Sequence, residues 1–356
     1  MLIAGISWSE QGFEVAFRDA SGATAAPPVH FPAGQVATLT SHLCDVESQS
    51  PDELVCVVDS TDGMVDGRLM AAGLRVHRAD PRQLPERPVL GSVPADTLAS
   101  TAAEGLPELA RLTLAEGSLT GRSDDHVRAE RDSEDALAGL AAAGRCLTRG
   151  ASDPSPGRVA LTFDDGPNPP WTGRILDVLE RYDVPATFFC VGLHASGRSE
   201  ELARMAEAGH GIANHTWSHP FLPDLAQREV EVQLQRTDEV IEAVVGVRER
   251  RLFRPPYGSG TRELYSWLAG DTGSRPAAVV LWDVDTQDWA MPGSDVIATS
   301  ALEQARPGSV VLMHDGGGDR TQTVDALPAV VEGLLERGYE LVRVEELLDG
   351  SGPLHR

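Results

Sequence analysis

A pair of adjacent carboxylates at the end of an apolar run constrains the second half of this chain most strongly. Residues 159–163 are apolar or β-branched, which predicts a buried strand, and Gly166-Pro167 ends it. Asp164 and Asp165 therefore lie where a strand opens into a loop. In barrels of alternating strands and helices, catalytic side chains collect at that end of the strands. Taken alone, two such acids are more typical of a solvated turn.

Length and composition indicate a soluble protein with two domains. The chain has 356 residues, of which 41% are hydrophobic and 24% are charged, as is ordinary for globular domains. No apolar run approaches the roughly 20 residues that a membrane-spanning helix needs. The N-terminal segment has no cationic leader and soon contains an acid, so we expect no signal peptide and a cytoplasmic protein.

The charged residues and cysteines exclude several classes of function. The formal net charge is −24, so a protein that wraps nucleic acid or binds an anionic membrane is not expected. All 30 cationic residues are Arg, which excludes a Lys nucleophile. The 4 Cys residues form no CxxC pair, which argues against a zinc knuckle or a disulfide framework and favours a reducing compartment.

Turn and linker residues at 150–157 separate two regions with different patterns, so we predict a domain boundary there. Upstream of it, apolar patterning predicts three strands, a helix, a strand, a helix and a strand. Their predicted bounds are 2–7, 13–18, 29–31, 35–46, 54–58, 67–72 and 74–77. Residues 80–148 have helical spacing and are expected to cover the sheet.

This order of elements resembles the RNase H-like fold, in particular the N-terminal part of transposases and resolvases. The resemblance matches Asp59 to a fourth-strand acid and Asp132 and Asp135 to a later helical element, but Ser7 stands where the first acid belongs. Two-metal phosphoryl chemistry needs several acids around its ions. We therefore expect residues 1–149 to form a non-catalytic scaffold or interaction module, with an unidentified protein partner.

Two histidines follow in the second half, at His215 and His219. A spacing of four residues in a helical turn directs both side chains to one point. With Asp165, they would form a set of two imidazoles and one carboxylate that leaves a coordination position for water. Alone, the pair is equally typical of a protein surface.

Three further polar clusters end or follow apolar runs. Arg254 precedes a rigid Pro-Pro-Tyr loop that could hold a backbone N–H toward an oxyanion, although it could be an ordinary turn. Residues 285–289 hold acids that could orient a general-acid imidazole. Trp289 could equally belong to the core. His314 ends the last of these runs.

The five clusters together resemble the NodB-homology polysaccharide deacetylases, carbohydrate esterase family 4, over residues 157 to 348. The matching motifs are TFDDGP at 162–167, HTWSH at 215–219, RPPY at 254–257, DTQDW at 285–289 and LMH at 312–314. The resemblance implies an α/β fold in which residues 158–349 form a distorted (β/α) barrel.

The resemblance also implies roles for individual residues. Asp164 would be the general base, and Asp165, His215 and His219 would bind a divalent metal, zinc first, with Co²⁺, Ni²⁺ or Mn²⁺ as alternatives. His314 would be the general acid, tuned by Asp288, while Arg254 would orient Asp164. The N–H of Tyr257 would stabilise the oxyanion, and Trp289 and Leu312 would line the acyl pocket.

The expected activity is metal-dependent hydrolysis of an N-acetyl group from an amino sugar or a glycosylated metabolite. The substrate is expected to be a small molecule or an oligosaccharide. Two alternatives remain open at this point. One is a ring-opening C–N hydrolase of the allantoinase type, and the other is a nucleic-acid-associated protein with a vestigial deacetylase domain.

Overall fold

The computed structural model describes residues 1–32, 35–61, 64–79, 84–85, 87–115, 118–120, 124–150, 157–248, 251–270 and 276–349, with no side chains described between 114 and 132. Contacts group the chain into two compact units, the first comprising 1–129 with 218–233 and the second 130–217 with the residues from 234 on. This grouping differs from the division predicted at 150–157, of which 151–156 lie outside the described residues. None of the described helices is long and apolar enough to span a membrane.

The first unit is built on one mixed sheet. Its strands are β1 (Leu2–Ser9), β2 (Gly12–Asp19), β3 (Thr24–Pro32), β4 (Leu54–Val58), β5 (Arg75–Arg78) and β6 (Ala110–Arg111). A separate hairpin consists of β7 (Thr113–Ala115) and β8 (Ser118–Thr120). The helices among these elements are α1 (Val36–Gln49), α2 (Asp66–Ala71) and α3 (Ala95–Gly105). After them, α4 (Asp124–Ala142) begins in the first unit and continues into the second.

The sheet order is β3-β2-β1-β4-β5-β6, with β1, β2 and β3 antiparallel and β1, β4 and β5 parallel. Every residue of β4 is buried, as its uninterrupted apolar run requires. The prediction of covering helices for 80–148 was wrong in part, because β6 extends the sheet and β7 and β8 form a hairpin. Strands of two or three residues arise from pairing partners and have too few positions to show a periodicity.

Asp59 follows β4 and is fully buried. Its Oδ1 accepts hydrogen bonds from the N–H and the hydroxyl of Thr61, at 3.0 and 2.6 Å, and from the Ser92 hydroxyl at 3.2 Å. Its Oδ2 accepts the N–H of Val93 at 3.2 Å. Burial raises the pKa of this carboxyl despite those bonds. Asp59 therefore joins two loops of the first unit.

Of the other acids in the predicted RNase H-like set, Asp135 alone has a described side chain. The side chain of Asp135 is 92% exposed. The side chain of Asp132 lies outside the described residues. The RNase H-like assignment of the first unit stays a prediction.

Residues 218–233 belong to the first unit by their contacts. The N–H of Phe221 donates to the carbonyl of Ser60 at 3.1 Å, and the Arg78 guanidinium lies 5.1 Å from the centre of the Phe221 ring. Arg87 and Glu229 form an ion pair at 3.0 Å. The loop after Asp59 is thus a packing partner of this segment.

The second unit is built on a parallel sheet. Its strands are β9 (Cys146–Leu147), β10 (Arg158–Asp164), β11 (Thr187–Cys190), β12 (Gly211–Asn214), β13 (Leu252–Phe253), β14 (Ala278–Val280), β15 (Val284–Asp285), β16 (Val310–His314) and β17 (Glu340–Leu341). The helices are α5 (Trp171–Tyr182), α6 (Gly192–Ala195), α7 (Ser199–Glu207), α8 (Gln227–Val245), α9 (Arg262–Leu268), α10 (Ser294–Gln304), α11 (Thr321–Glu336) and α12 (Val344–Asp349). By the same grouping, α8 begins among the residues of the first unit and continues into the second.

The strand order is β15-β16-β10-β11-β12-β13-β14-β9, with β17 beside the start of β10. This curled parallel sheet with its helices confirms the predicted α/β class. The strand β9, which lies upstream of the predicted boundary, was not expected and pairs with β14.

β10 has apolar neighbours on both of its faces. Val159, Leu161 and Phe163 pack into the larger apolar core together with residues of α5 and α11, whereas Ala160 packs into a second core with Phe189. Because side chains alternate along a strand, Asp164 lies on the same face as Ala160. The catalytic candidate therefore points to the side of the smaller core.

We predict that Gly5→Ala destabilises the first unit by about 1–3 kcal/mol, as overpacking does. A Cβ at Gly5 would lie 2.0 Å from the carbonyl oxygen of Ala95 and 2.5 Å from the amide nitrogen of Ala99, both in α3. Chemical denaturation followed by circular dichroism measures the loss. Gly67→Ala is the matched control, since nothing lies within 4 Å of a Cβ there. Equal stability of the two variants would contradict the close packing of α3 on β1.

Candidate active site

The polar motifs begin at or directly after the carboxyl ends of the parallel strands of the second unit. Asp164 ends β10 and His314 ends β16, and the register of these strands pairs the two residues. Asn214 ends β12 immediately before the first histidine of the HTWSH motif. Arg254 directly follows β13. One edge of the sheet therefore carries residues that are up to 150 positions apart in the sequence.

Asp165, His215 and His219 are all buried and form a cluster that could hold a metal ion. Each offers one ligand atom, and these atoms lie within 4.8 Å of one another. The Nδ1 of His215 lies 2.7 Å from the carbonyl oxygen of Arg254. Because a carbonyl can only accept, Nδ1 carries the proton, and Nε2 keeps its lone pair for a metal. This Nε2 lies 3.4 Å from Oδ1 of Asp165. Two imidazoles and one carboxylate are a donor set that suits a divalent metal such as zinc.

The two histidines converge through a loop, so the predicted helical turn was wrong. Residues 215–219 are not helical, and Thr216 and His219 have φ values of 68° and 59°. The side chain of Asn214 accepts the N–H of Thr216 at 2.8 Å and donates to Asp238 at 2.9 Å. These bonds fix a backbone that its own sequence does not favour, since both residues with positive φ carry a Cβ.

Arg254 is fully buried and holds Asp164. Its Nη1 donates to Oδ1 of Asp164 at 2.7 Å and to the Thr162 hydroxyl at 2.9 Å. Its other nitrogens donate to the carbonyls of Val280 and Leu281 at 3.2 and 3.1 Å. Burial lowers the pKa of this guanidinium, and the charge of Asp164 acts in the opposite direction. A buried cation of this kind needs its counter-charge, so the pair is a single structural unit.

His314 is paired with Asp288. Its Nδ1 lies 2.7 Å from Oδ1 of Asp288, and its backbone N–H donates to Oδ2 at 2.8 Å. Burial would lower the pKa of His314, but the charge and hydrogen bond of Asp288 outweigh it and raise the pKa to about 9. The imidazole is therefore protonated at neutral pH with its Nε2–H available as a donor.

The three residues predicted to contact the substrate have different surroundings. Tyr257 lies in a short turn at Pro256–Gly258 with a φ of 58°, and its side chain is half-buried. Trp289 is half-buried in the loop that carries Asp288, and Leu312 is buried in β16. Gly258 has a φ of 67°, and a Cβ there would lie 2.9 Å from the Trp282 ring. Their substrate-binding roles stay predictions.

Comparisons with known proteins agree on one family for this arrangement. A sequence profile described as Polysaccharide deacetylase matches residues 151–276. The chain is 39% identical over 191 residues to the chitooligosaccharide deacetylase of Sinorhizobium fredii, covering 51% of this chain and 87% of that protein. The chain belongs to the polysaccharide deacetylase family.

Two further relatives of this polysaccharide deacetylase are named as peptidoglycan deacetylases. The peptidoglycan-N-acetylmuramic acid deacetylase PdaC of Bacillus subtilis is 40% identical over 195 residues, which are 55% of this chain and 39% of that protein. The solved structure of the Bc1960 peptidoglycan N-acetylglucosamine deacetylase is 33% identical with a TM-score of 0.53, covering 58% of this chain and 94% of the other. The chain is thus a hydrolase of amide C–N bonds that removes an N-acetyl group from an amino sugar in a metal-dependent reaction.

Sequence reasoning missed several residues that surround the deacetylase site. Thr323 donates its hydroxyl to Oδ2 of Asp288 at 2.7 Å, and Nη1 of Arg320 lies 3.5 Å from the carbonyl of Asp288. Asp315 is fully buried, and burial raises its pKa to about 7 even though Thr172 and Gly166 donate hydrogen bonds to it. The only sequence signal for Asp315 is its position directly after His314.

We expect His215→Ala to lose bound metal, because one of the two imidazole ligands is removed. Metal analysis of dialysed protein measures the content. The matched control is His210→Ala, which also removes a buried imidazole. His210 accepts the N–H of Ala186 at 3.1 Å, and burial lowers its pKa to about 4. Wild-type metal content in His215→Ala, or its loss in His210→Ala, would contradict the ligand assignment.

Proposed function

We propose that this chain is a zinc-dependent deacetylase that acts on oligosaccharides or glycan strands containing N-acetylated amino sugars. The observation that carries this proposal is the pairing of Asp164 with His314 on neighbouring strands, beside the cluster of Asp165, His215 and His219. The named activities of the relatives, on chitooligosaccharides and on peptidoglycan, support the substrate class.

Asp164 would act as the general base. Arg254 holds its Oδ1 at 2.7 Å, which leaves Oδ2 to receive a proton, and Oδ2 lies 3.6 Å from Nε2 of His215. Zinc bound by the three ligands would lower the pKa of water and polarise the amide carbonyl. Asp164 would take the proton that the attacking water loses.

His314 would act as the general acid. The departing amine is a poor leaving group as an anion, so it must gain a proton as the C–N bond breaks. Asp288 keeps the imidazole protonated and holds its Nδ1 at 2.7 Å, so Nε2 supplies the proton. The backbone N–H of Tyr257 would donate to the oxyanion, and Trp289 and Leu312 would contact the acetyl methyl group.

We propose that the first unit is an RNase H-like domain without nuclease activity. The sheet order β3-β2-β1-β4-β5, with only β2 antiparallel to its neighbours on both sides, supports the fold. The engaged carboxylate of Asp59 and the Ser7 at the first acid position support the lack of activity. A gel-shift assay with DNA at low salt tests this domain for nucleic-acid binding, which is strongest under that condition.

Acetate release tests the deacetylase proposal directly. Zinc-loaded protein is assayed in parallel on N-acetylated chito-oligosaccharides, peptidoglycan strands and nucleotide-linked amino sugars, and the first two are expected to release acetate. Asp164→Asn and His314→Ala should each lower kcat by about 10²–10⁴-fold while keeping bound zinc. Release from nucleotide-linked sugars alone would contradict the substrate class, and undiminished turnover of Asp164→Asn would remove it from the base role.

We predict that the alkaline limb of the pH profile of kcat/KM, where activity falls as the pH rises, reports the deprotonation of His314. The pKa of His314 is raised to about 9, so the protonated acid, and the stability that its ion pair contributes, are lost as the pH rises through 9. Asp288→Asn removes the charge that favours the imidazolium and should move this limb down by about 1–3 pH units. A pH profile of Asp288→Asn that matches the wild type would contradict the assignment.

A further inference from the structure

The metal-ligand candidate Asp165 has an unusual backbone conformation. Its φ is +78°, in the left-handed region that residues with a Cβ rarely adopt. Such a conformation persists only where the surrounding structure holds it. The direction of the Asp165 carboxylate depends on this conformation, because the Cβ position follows from the backbone.

Three contacts to backbone groups of Asp165 and Gly166 flank this strained position. Its own N–H donates to the carbonyl of Phe189 at 3.2 Å, and its carbonyl lies 2.7 Å from Nδ1 of His194. The next carbonyl, that of Gly166, accepts the N–H of Val191 at 3.0 Å. These partners come from β11 and the residues that follow it.

Asp315 binds the backbone amide of Gly166, the residue that follows Asp165. Its Oδ1 accepts the N–H of Gly166 at 3.0 Å, and its Oδ2 accepts the hydroxyl of Thr172 at 2.6 Å. Thr172 in turn accepts the N–H of Asn168 at 2.7 Å. Asp315 and Thr172 are both fully buried. One carboxylate thus joins both sides of the loop between β10 and α5.

The turn after β16 also lies very close to the backbone of Asp165 and Gly166. A Cβ at Gly166 would lie 1.9 Å from Oδ2 of Asp315, and a Cβ at Gly316 would lie 2.2 Å from the carbonyl oxygen of Asp165. The N–H groups of Asp315 and Gly316 both donate to the carbonyl of Asp164, at 3.0 and 3.2 Å. The turn after β16 therefore packs directly on the Asp164-Asp165 backbone.

We propose that Asp315 is a positioning residue for the metal site, which holds Asp165 in its left-handed conformation with Thr172 as its partner. The inference rests on the metal role of Asp165 in the proposed function. Asp315 acts through the backbone of Gly166 and does not bind the metal itself. Loss of its carboxylate should therefore weaken metal binding and change the ligand geometry.

The test compares metal affinity in metal-free protein. Zinc binding is measured by competition with a chelator, and Co²⁺ is titrated as a spectroscopic probe of ligand geometry. Asp315→Ala should weaken zinc binding by about 10–100-fold, as loss of a residue that orients a ligand does, and should change the visible Co²⁺ spectrum. Thr172→Val should weaken zinc binding in the same direction, whereas Thr172→Ser, which keeps the hydroxyl, should bind like the wild type.

Asp283→Ala is the matched control, because Asp283 also accepts a backbone N–H, from Val310 at 2.8 Å, and a hydroxyl, from Ser309 at 2.9 Å, but at the start of β16, the end opposite to Asp315. It should lower the melting temperature and leave zinc affinity unchanged. If Asp315→Ala does not fold, Asp315→Asn and Thr172→Val carry the test. In Asp315→Asn, the amide oxygen can still accept the N–H of Gly166, but the NH₂ group replaces the acceptor of the Thr172 hydroxyl, so a smaller loss of affinity is expected.

The outcomes separate this inference from the proposed function. Wild-type zinc affinity in the folded Asp315 and Thr172→Val variants, or an equal loss in Asp283→Ala, would overturn the positioning role while leaving the deacetylase proposal intact. Wild-type protein that binds no zinc would instead overturn the proposed function.

Discussion

The buried ion pair between Arg254 and Asp164 is the interaction on which the rest of the site depends. A guanidinium removed from water is tolerated only with a counter-charge and with acceptors for its remaining N–H groups. Arg254 obtains these from Asp164, the Thr162 hydroxyl and the carbonyls of the last residue of β14 and the residue after it, and the centre of the Phe189 ring lies 4.0 Å from its central carbon. The same bonds that satisfy the cation fix the proposed base, so stability and catalytic geometry are coupled at this point.

The parallel sheet explains how distant motifs reach one site. Parallel strands present all their carboxyl ends at one edge, so a polar residue that follows an apolar run is delivered there whatever its place in the sequence. The motifs and the apolar runs before them could therefore be interpreted from the sequence. The common location of Asp164, His314 and Arg254 could be predicted once the ends of their strands were identified.

Other features could not be predicted, because they depend on partners far away in the chain. The bonds of Thr323 to Asp288 and of Asp315 to Gly166 join residues that show no shared pattern in the sequence. The spacing of His215 and His219 suggested a helical turn, but the bond from Thr216 to Asn214 favours a loop. In the first unit, Asp59 resembled a catalytic acid by position, whereas its hydrogen bonds show it joining two loops.

The strands that pair with β10 determine how late during synthesis the site can form. This strand is the first long one of the second unit, yet its neighbours β16 and β17 are among the last strands, and Gly166 meets a partner 149 residues later. Contacts of such sequence separation form slowly and late. During synthesis, Asp164 and Asp165 leave the ribosome long before the strand that completes their surroundings. The nascent chain therefore has no hydrolytic site until its final elements are available.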